Sequence, residues 1–296
     1  AHRLGLIEII GIVVGVSYSL SPYAVDAQRK WWGLAPIPIA KWNGTAIDAS
    51  PGSLATWVGR VDNFPYDLTA GDILDSTVAY RTWLASQTDP VDIVVVGYLQ
   101  SLSALLTSSA DGIDARSGVD LVAAKVGKVW SMAGQYPSGP AEWNMKGVPT
   151  ASNNVATTCP VPVRWIGFEV VAEGNTDSYA GGTFGRNTST DLLAAAYAAP
   201  ADVNGRPSWD EYAAFCCVYE GADFTWTHGS QTVNTTTGVN TWTSSPSGKD
   251  AFATRVASHL TFKARINQLI GADVSADPIL STWGLAAGIL QIQGKA

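Results

Sequence analysis

Four apolar runs constrain this chain more than any other feature: Ile7–Val16, Asp92–Gly97, residues 126–132 and Val161–Val171. None shows the apolar–polar alternation of a strand with one wet face. A strand apolar on both sides must be covered on both sides, which points to a parallel sheet sandwiched by helices. Helical segments lie between the runs. Ser21 reads as N-cap of a helix that Pro22 opens and Gly33 stops, and Ala35–Ile39 reads as a short second strand. Ile73, Thr77, Tyr80 and Leu84 form a helical stripe over Asp72–Ser86. A turn at Tyr98–Ser101 runs into a helix over LSALLTS, and Thr190 caps another over DLLAAAYAA, beyond a glycine loop at Gly181–Gly185. Ser208-Trp-Asp-Glu211 has the form of a capping box before EYAAFCCVY. Strands alternating with helices predict an α/β fold with a mostly parallel central sheet and helices on both faces. Residues 223–243 add a small antiparallel hairpin region. Asp250–Ile270 reads as a long amphipathic helix with Phe252, Val256, Leu260 and Ile266 inward. GLAAGILQI, near the end, belongs against something apolar. With no internal repeat or linker, residues 1–296 read as a single domain.

In a sheet of this kind ligands gather at the carboxyl ends of the strands. That edge collects Ser17–Ser21, Gly97–Ser101, Met132–Asn144 and Trp209-Asp210. The third stretch is the most suggestive, a glycine- and proline-rich loop ending on a carboxylate and an amide two residues apart. Glu142 accepts hydrogen bonds, and Asn144 both donates and accepts, a pair suited to a polyol such as a sugar. The same residues would also serve an ordinary surface turn.

Only 15% of the residues are charged, against roughly 25% in an ordinary soluble domain, and twelve are tryptophan. Such a surface fits a homo-oligomer or a larger assembly. A net charge of -7 argues against a nucleic-acid partner, because phosphate binding needs clustered Lys and Arg. The apolar N-terminal run is too short and interrupted to span a membrane, and no cleavage site marks it as a signal peptide. Cys159, Cys216 and Cys217 lack any CxxC spacing and read as reduced, buried thiols rather than zinc ligands. His228, in the hairpin region, is a weak proton-transfer candidate, and His259 reads as packing. Asp26, Asp48 and Asp62 read as solvated. There is no phosphate loop, Ser/His/Asp constellation or dinucleotide fingerprint.

Taken in order, several segments resemble the inosine–uridine preferring nucleoside hydrolases, in a divergent bacterial or phage-type branch. VVVGYLQSLSALL is similar to that family's Gly-Pro-Leu-Thr-Asn-Leu-Ala segment, and VWSMAGQYPSGPAEWN to its Met-Gly-Gly … Ala-Glu-Phe-Asn loop. WIGFEV looks like a Gly-x-Glu-Val strand, SWDEYAAF like a His-Asp-Pro-x-Ala-Val helix start, and GVNTW resembles the same branch. The resemblance runs from Leu6 to about Trp242. It implies cleavage of the N-glycosidic bond of ribonucleosides, by a water held on a calcium ion, through an oxocarbenium-like transition state. On this chain it implies Met132, Glu142, Asn144 and Trp209 as substrate-binding residues. Asp210 and the main-chain carbonyl of Gln100 become metal ligands.

The departures are as informative. The family's Asp-x-Asp-x-x-x-Asp-Asp motif is absent, and residues 1–10 match the end of the helix that carries it and the next strand. The domain therefore reads as lacking its first strand, a central one, and most of its first helix. Asp210 and one carbonyl are too few for Ca2+, which takes six to eight oxygens; calcium is expected only if that motif lies upstream. Trp209 stands where many members have a histidine, so no catalytic residue can be assigned, although an indole can stack on a base. Two functions remain in play. One is a calcium-dependent nucleoside hydrolase acting on a ribonucleoside or similar sugar. The other is a catalytically degenerate module serving as a binding or structural part of an assembly, such as a virion.

Overall fold

The computed structural model describes residues 7–47, 63–171, 206–221, 223–271 and 286–292, together with Val58, Tyr179–Ala180, Leu192 and Ala195. The strands are β1 (Ile7–Val14), β2 (Ile39–Lys41), β3 (Leu74–Asp75), β4 (Val91–Val95), β5 (Val126–Met132) and β6 (Val163–Ile166). They continue as β7 (Tyr179–Ala180), β8 (Arg206–Pro207), β9 (Phe224–Val233), β10 (Asn240–Ser244), β11 (Asp250–Arg255) and β12 (Ala286–Ile292). The helices are α1 (Ser21–Trp31), α2 (Ser76–Ser86), α3 (Gln100–Thr107), α4 (Gly118–Lys125) and α5 (Trp143–Lys146). After them come α6 (Pro149–Thr158), α7 (Trp209–Val218) and α8 (His259–Gly271).

Ten strands form one sheet in the order β10-β9-β11-β6-β5-β4-β12-β1-β2-β3. From β11 to β3 every pairing is parallel; β9 and β10 extend the sheet antiparallel. The alternation of side chains explains why the apolar runs are continuous. Ile93, Val95 and Val129 point into a core closed by α2, α3, α4 and α6. Val94, Trp130 and Met132, one residue out of phase, point into the opposite core closed by α7 and α8. Ile12 and Val14 meet α1 in a third cluster, while Val13 joins the first. Trp130 and Trp165 are among the largest fully buried side chains, and truncating either would cost about 3–5 kcal/mol.

β12 lies between β1 and β4 and pairs in parallel with both, Ile289 opposite Gly11 and Ile93. The apolar GILQI stretch thus lies between β1 and β4 in the described sheet.

Several sequence expectations need correction. The segment Asp250–Ile270 is not one helix. Asp250–Arg255 is β11, with Ala251, Phe252 and Ala253 all buried, and the helix begins only at His259. Val256 and Leu260, expected inward, are exposed. The Val161–Val171 run is a strand only over Val163–Ile166, then a 3-10 turn at Phe168–Val170. Helix α2 starts at Ser76 rather than Asp72, because Asp75 accepts from Thr77 N and Val78 N as its N-cap. The first helix is capped at Leu20, not Ser21, and the second strand is Ile39–Lys41 rather than 35–39. Ser208 is the N-cap of α7 but makes no side-chain cap bond; its ψ of 46° departs from the extended cap geometry. Asp26 is not solvated: it is buried, bonded to Arg29 and to the N–H groups of Asp67 and Leu68. The glycine loop 181–185 and the helix over 191–199 lie outside the described residues, apart from the buried, helical Leu192 and Ala195. Asp48 and Asp62 lie outside them too.

Candidate functional site

Strand β5 ends at Met132, and the chain turns through Ala133 into Gly134, whose φ of +82° suits glycine. A Cβ there would sit 2.8 Å from the Tyr136 hydroxyl and 3.0 Å from Met145 Cε. The loop closes on Glu142, the N-cap of α5. Its Oε2 accepts from Gly134 N at 3.1 Å, Asn144 N at 2.9 Å and Met145 N at 3.4 Å. Asn144 Nδ2 donates back to the Met132 carbonyl at 2.9 Å and contacts its sulfur at 3.3 Å. Met132, Glu142 and Asn144 therefore form one knot at the strand end, all of them buried. Trp143, between the two polar residues, is 47% exposed.

The antiparallel region clamps this loop from outside. Asn240 Oδ1 accepts from Gln135 N and its Nδ2 donates to Gln135 O, both at 3.1 Å, so one side-chain amide mimics a strand partner. The Tyr136 hydroxyl donates to Gln231 Oε1 at 3.0 Å. Its ring stacks on Phe252 (5.0 Å, 11°) and meets Trp242 edge-on. Gly238, with φ of +77°, lets the β9–β10 turn lie against α5, where an added Cβ would fall 2.5 Å from Lys146 Cα.

Trp209 joins the same region from the other side. Its indole N–H donates to the Phe168 carbonyl at 3.0 Å, and the rings stack at 5.1 Å. Phe168 N in turn donates to Gly134 O at 2.9 Å. So Trp209, Phe168, Gly134 and Glu142 form one connected chain, and one face of the indole is covered by Phe168. Asp210 is half-buried on the first turn of α7, where the helix dipole favours a carboxylate.

Sequence reasoning passed over Glu169. Its Oε2 accepts from Tyr136 N at 3.0 Å, holding the loop two residues beyond Gly134. Displacement of water by the surrounding protein, with the nearby charge of Glu142, raises this carboxyl to about 7. Glu169 lines a cleft of about 330 Å3 with Tyr136, Pro137, Val170 and residues 252–255. The signal was present in the Gly-x-Glu-Val motif. The partners of Asn240 and Gln231 were not, being 105 and 95 residues away.

Gln100 stands apart from this knot, at the end of β4. Its side-chain N–H2 donates to the Gly15 carbonyl, tying the β1 and β4 ends together. Its Oε1, and the hydroxyls of Ser21, Ser101 and Ser131, are buried without a hydrogen-bond partner. These are neutral oxygens. As first residue of α3, Gln100 directs its own main-chain carbonyl along the helix ladder. No three His, Cys, Asp or Glu side chains stand together among the described residues. This donor set does not fit a hard dication wanting six to eight oxygens. Of the described histidines, His228 Nδ1 contacts Gly248 O at 2.9 Å, and His259 lies 2.7 Å from Arg255. All three cysteines are free; Cys159 and Cys216 are buried, Cys217 half-buried, and burial lifts the Cys159 thiol to about 11.

The fold is nucleoside hydrolase-like. An inosine–uridine preferring nucleoside hydrolase from Bacillus anthracis superposes with a TM-score of 0.64 at 16% identity, covering 90% of this chain and 92% of that one. An inosine–guanosine nucleoside hydrolase gives 0.62 at 14%, covering 93% and 95%. The effector protein XOO4466 gives 0.61 at 12%, covering 88% and 84%. The type III effector XopQ, complexed with adenosine diphosphate ribose, gives 0.55 at 13%, covering 87% and 82%. No protein-family model and no curated protein matches the sequence. Among the described residues no helix is long and apolar enough to cross a membrane.

Proposed function

We propose that this chain is a ribosyl-binding module on the nucleoside hydrolase-like fold, taking a ribonucleoside or a nucleoside-diphosphate sugar without calcium chemistry. The observation that carries the reading is a set of buried, unpartnered neutral oxygens at this edge, on Gln100, Ser21, Ser101 and Ser131, with no metal-holding group of three His, Cys, Asp or Glu side chains among the described residues. Such oxygens suit hydroxyl groups, which donate and accept, rather than a bare cation. Glu142 and Asn144 supply the charged and amide side of the sugar pocket, Met132 its floor, and Trp209 a wall braced by Phe168. Solved neighbours of this fold include nucleoside hydrolases and an effector holding adenosine diphosphate ribose, which supports the ligand class. Low charge and exposed Trp143, Val256 and Leu260 support work within an oligomer or larger assembly.

The second reading, a calcium-dependent nucleoside hydrolase, is favoured by the fold match over nine-tenths of the chain. It needs metal-binding carboxylates beyond Asp210, from outside the described residues. Calorimetric titration with inosine, uridine and adenosine diphosphate ribose, in calcium and in chelator, separates the two. The binding reading expects equal affinity in both and no ribose released. Ribose release that requires calcium would overturn it in favour of the hydrolase.

A further inference from the structure

We propose that the outer edge of β10 is a self-association surface, on which a second copy of this chain adds its own β10 antiparallel and continues the sheet across a two-fold axis. The inference gives the oligomer of the functional reading its surface; it rests on that part of the reading and not on the sugar pocket.

β10 stands at one end of the sheet and pairs only with β9. Among the described residues the main chain of Asn240–Ser244 bonds no other segment, so the groups on its far edge have no protein partner. Such an edge is a template for another strand, and proteins ordinarily blunt it with a charged side chain, a proline or a bulge. β10 has none of the three: it reads NTWTS, and its register against β9 runs unbroken from Asn240 to Ser244. The opposite end of the sheet differs, since β3 has two residues and ends on the acidic Asp75.

Charge selects the partner. No Asp, Glu, Lys or Arg occurs from Phe224 to Gly248, and the one histidine of that span, His228, faces the Gly248 carbonyl. Two copies with a net charge of -7 each repel over most approaches, and least along a strip with no ionised side chain. A charged peptide finds nothing to pair with there. A second copy brings an equally neutral edge of the same length, and a two-fold axis lets one patch meet itself.

Side-chain alternation sets the register. Asn240 and Trp242 face inward, the amide on Gln135 and the indole against Tyr136 and Phe252. Thr241 and Thr243, one residue out of phase, are exposed on the other face, opposite Thr232 and Ser230 of β9. An axis through Trp242 sets Thr241 of one copy opposite Thr243 of the other. Ser230 and Thr243 of one copy then continue into Thr241 and Thr232 of its partner, a row of hydroxyls across four strands. Cross-strand threonine and serine pairs of this kind are favourable. Five residues of strand bury less than the roughly 800 Å2 per partner of a standard interface, so the dimer is expected at micromolar rather than nanomolar concentration.

The test is sedimentation velocity of the full chain over about 1–100 μM, where the unaltered protein should pass from monomer to dimer. A double variant, Thr241→Lys with Thr243→Lys, sets lysine opposite lysine and should weaken the dimer at least about tenfold. Thr241→Glu with Thr243→Glu should do the same. Mixing the two double variants sets opposite charges against each other and should restore a dimer, which also shows that both are folded. A monomer at every concentration in the unaltered protein would overturn the surface. So would a dimer that persists undiminished in the lysine variant, or a mixture that stays monomeric. A persisting dimer would leave the oligomer of the functional reading standing on another face. Calorimetric titration of adenosine diphosphate ribose into the same samples decides the sugar pocket separately.

Discussion

At the scale of single residues, Glu142 shows how one carboxylate can build a loop. Its Oε2 gathers three backbone N–H groups that would otherwise be buried without acceptors. Glu142→Ala should therefore lower unfolding stability by about 2–3 kcal/mol in urea titration, and should also abolish ribose binding. Unchanged ribose affinity in that variant would place the sugar elsewhere. Glu169 behaves in the opposite sense. Its folded-state carboxyl is raised, so the stability it contributes is fully present below the ordinary carboxylate pKa and is lost as pH rises through about 7. Against Glu169→Gln, the unaltered protein should lose melting temperature between about pH 4.5 and pH 7. A difference that stays flat across that window would contradict the assignment. The place of Glu142 and Asn144 at a strand end was legible in the sequence, because an apolar run followed by glycines and polar side chains is a local pattern. Glu169 sat in an equally local motif, but nothing in the letters tells a strand-end carboxylate from a solvated one.

At the scale of elements, the antiparallel extension works as a clamp. Asn240 on β10 bonds both main-chain groups of Gln135, and Gly238 lets the turn approach α5. Asn240→Ala should cost about 1–2 kcal/mol and speed amide exchange at Gln135 and Tyr136, while amides of β4 keep their protection. Uniform acceleration across the sheet would mean that the variant destabilises the whole molecule rather than the loop. The hairpin itself was legible from its alternating threonines and aromatics. Its use was not, since the bonds it makes join positions about a hundred residues apart. The strand β11 misled the reading for another reason. Phe252, Val256 and Leu260 repeat at helical spacing, but Ala251, Phe252 and Ala253 are buried together. A short apolar run of that kind has no period of its own, and the sheet edge beside β6 decides its conformation. The Ser208 capping box failed similarly: the side chains were right, but the backbone enters the helix at a different angle.

At the scale of the whole molecule, the alternation of buried strands and helices was enough to define a parallel sheet covered on both sides. The order of strands was not, because any of several parallel strands could fill the centre. β12 does so, with neighbours on both edges, and among the described residues no strand pairing joins its partners β1 and β4 directly. Deleting residues 286–292 should split the sheet into halves and abolish the cooperative thermal transition seen by circular dichroism. A truncated chain that still melts in a single sharp step would show that β1 and β4 can close on each other.

That placement also has a temporal consequence. β1 is synthesised well before β12, so its inner edge has no partner until residues 286–292 have been made. The facing edges of β1 and β4 stay open until then, and contacts this distant in sequence form slowly. Closure of the native centre therefore follows the synthesis of β12, and until it occurs each open edge is exposed to wrong pairing.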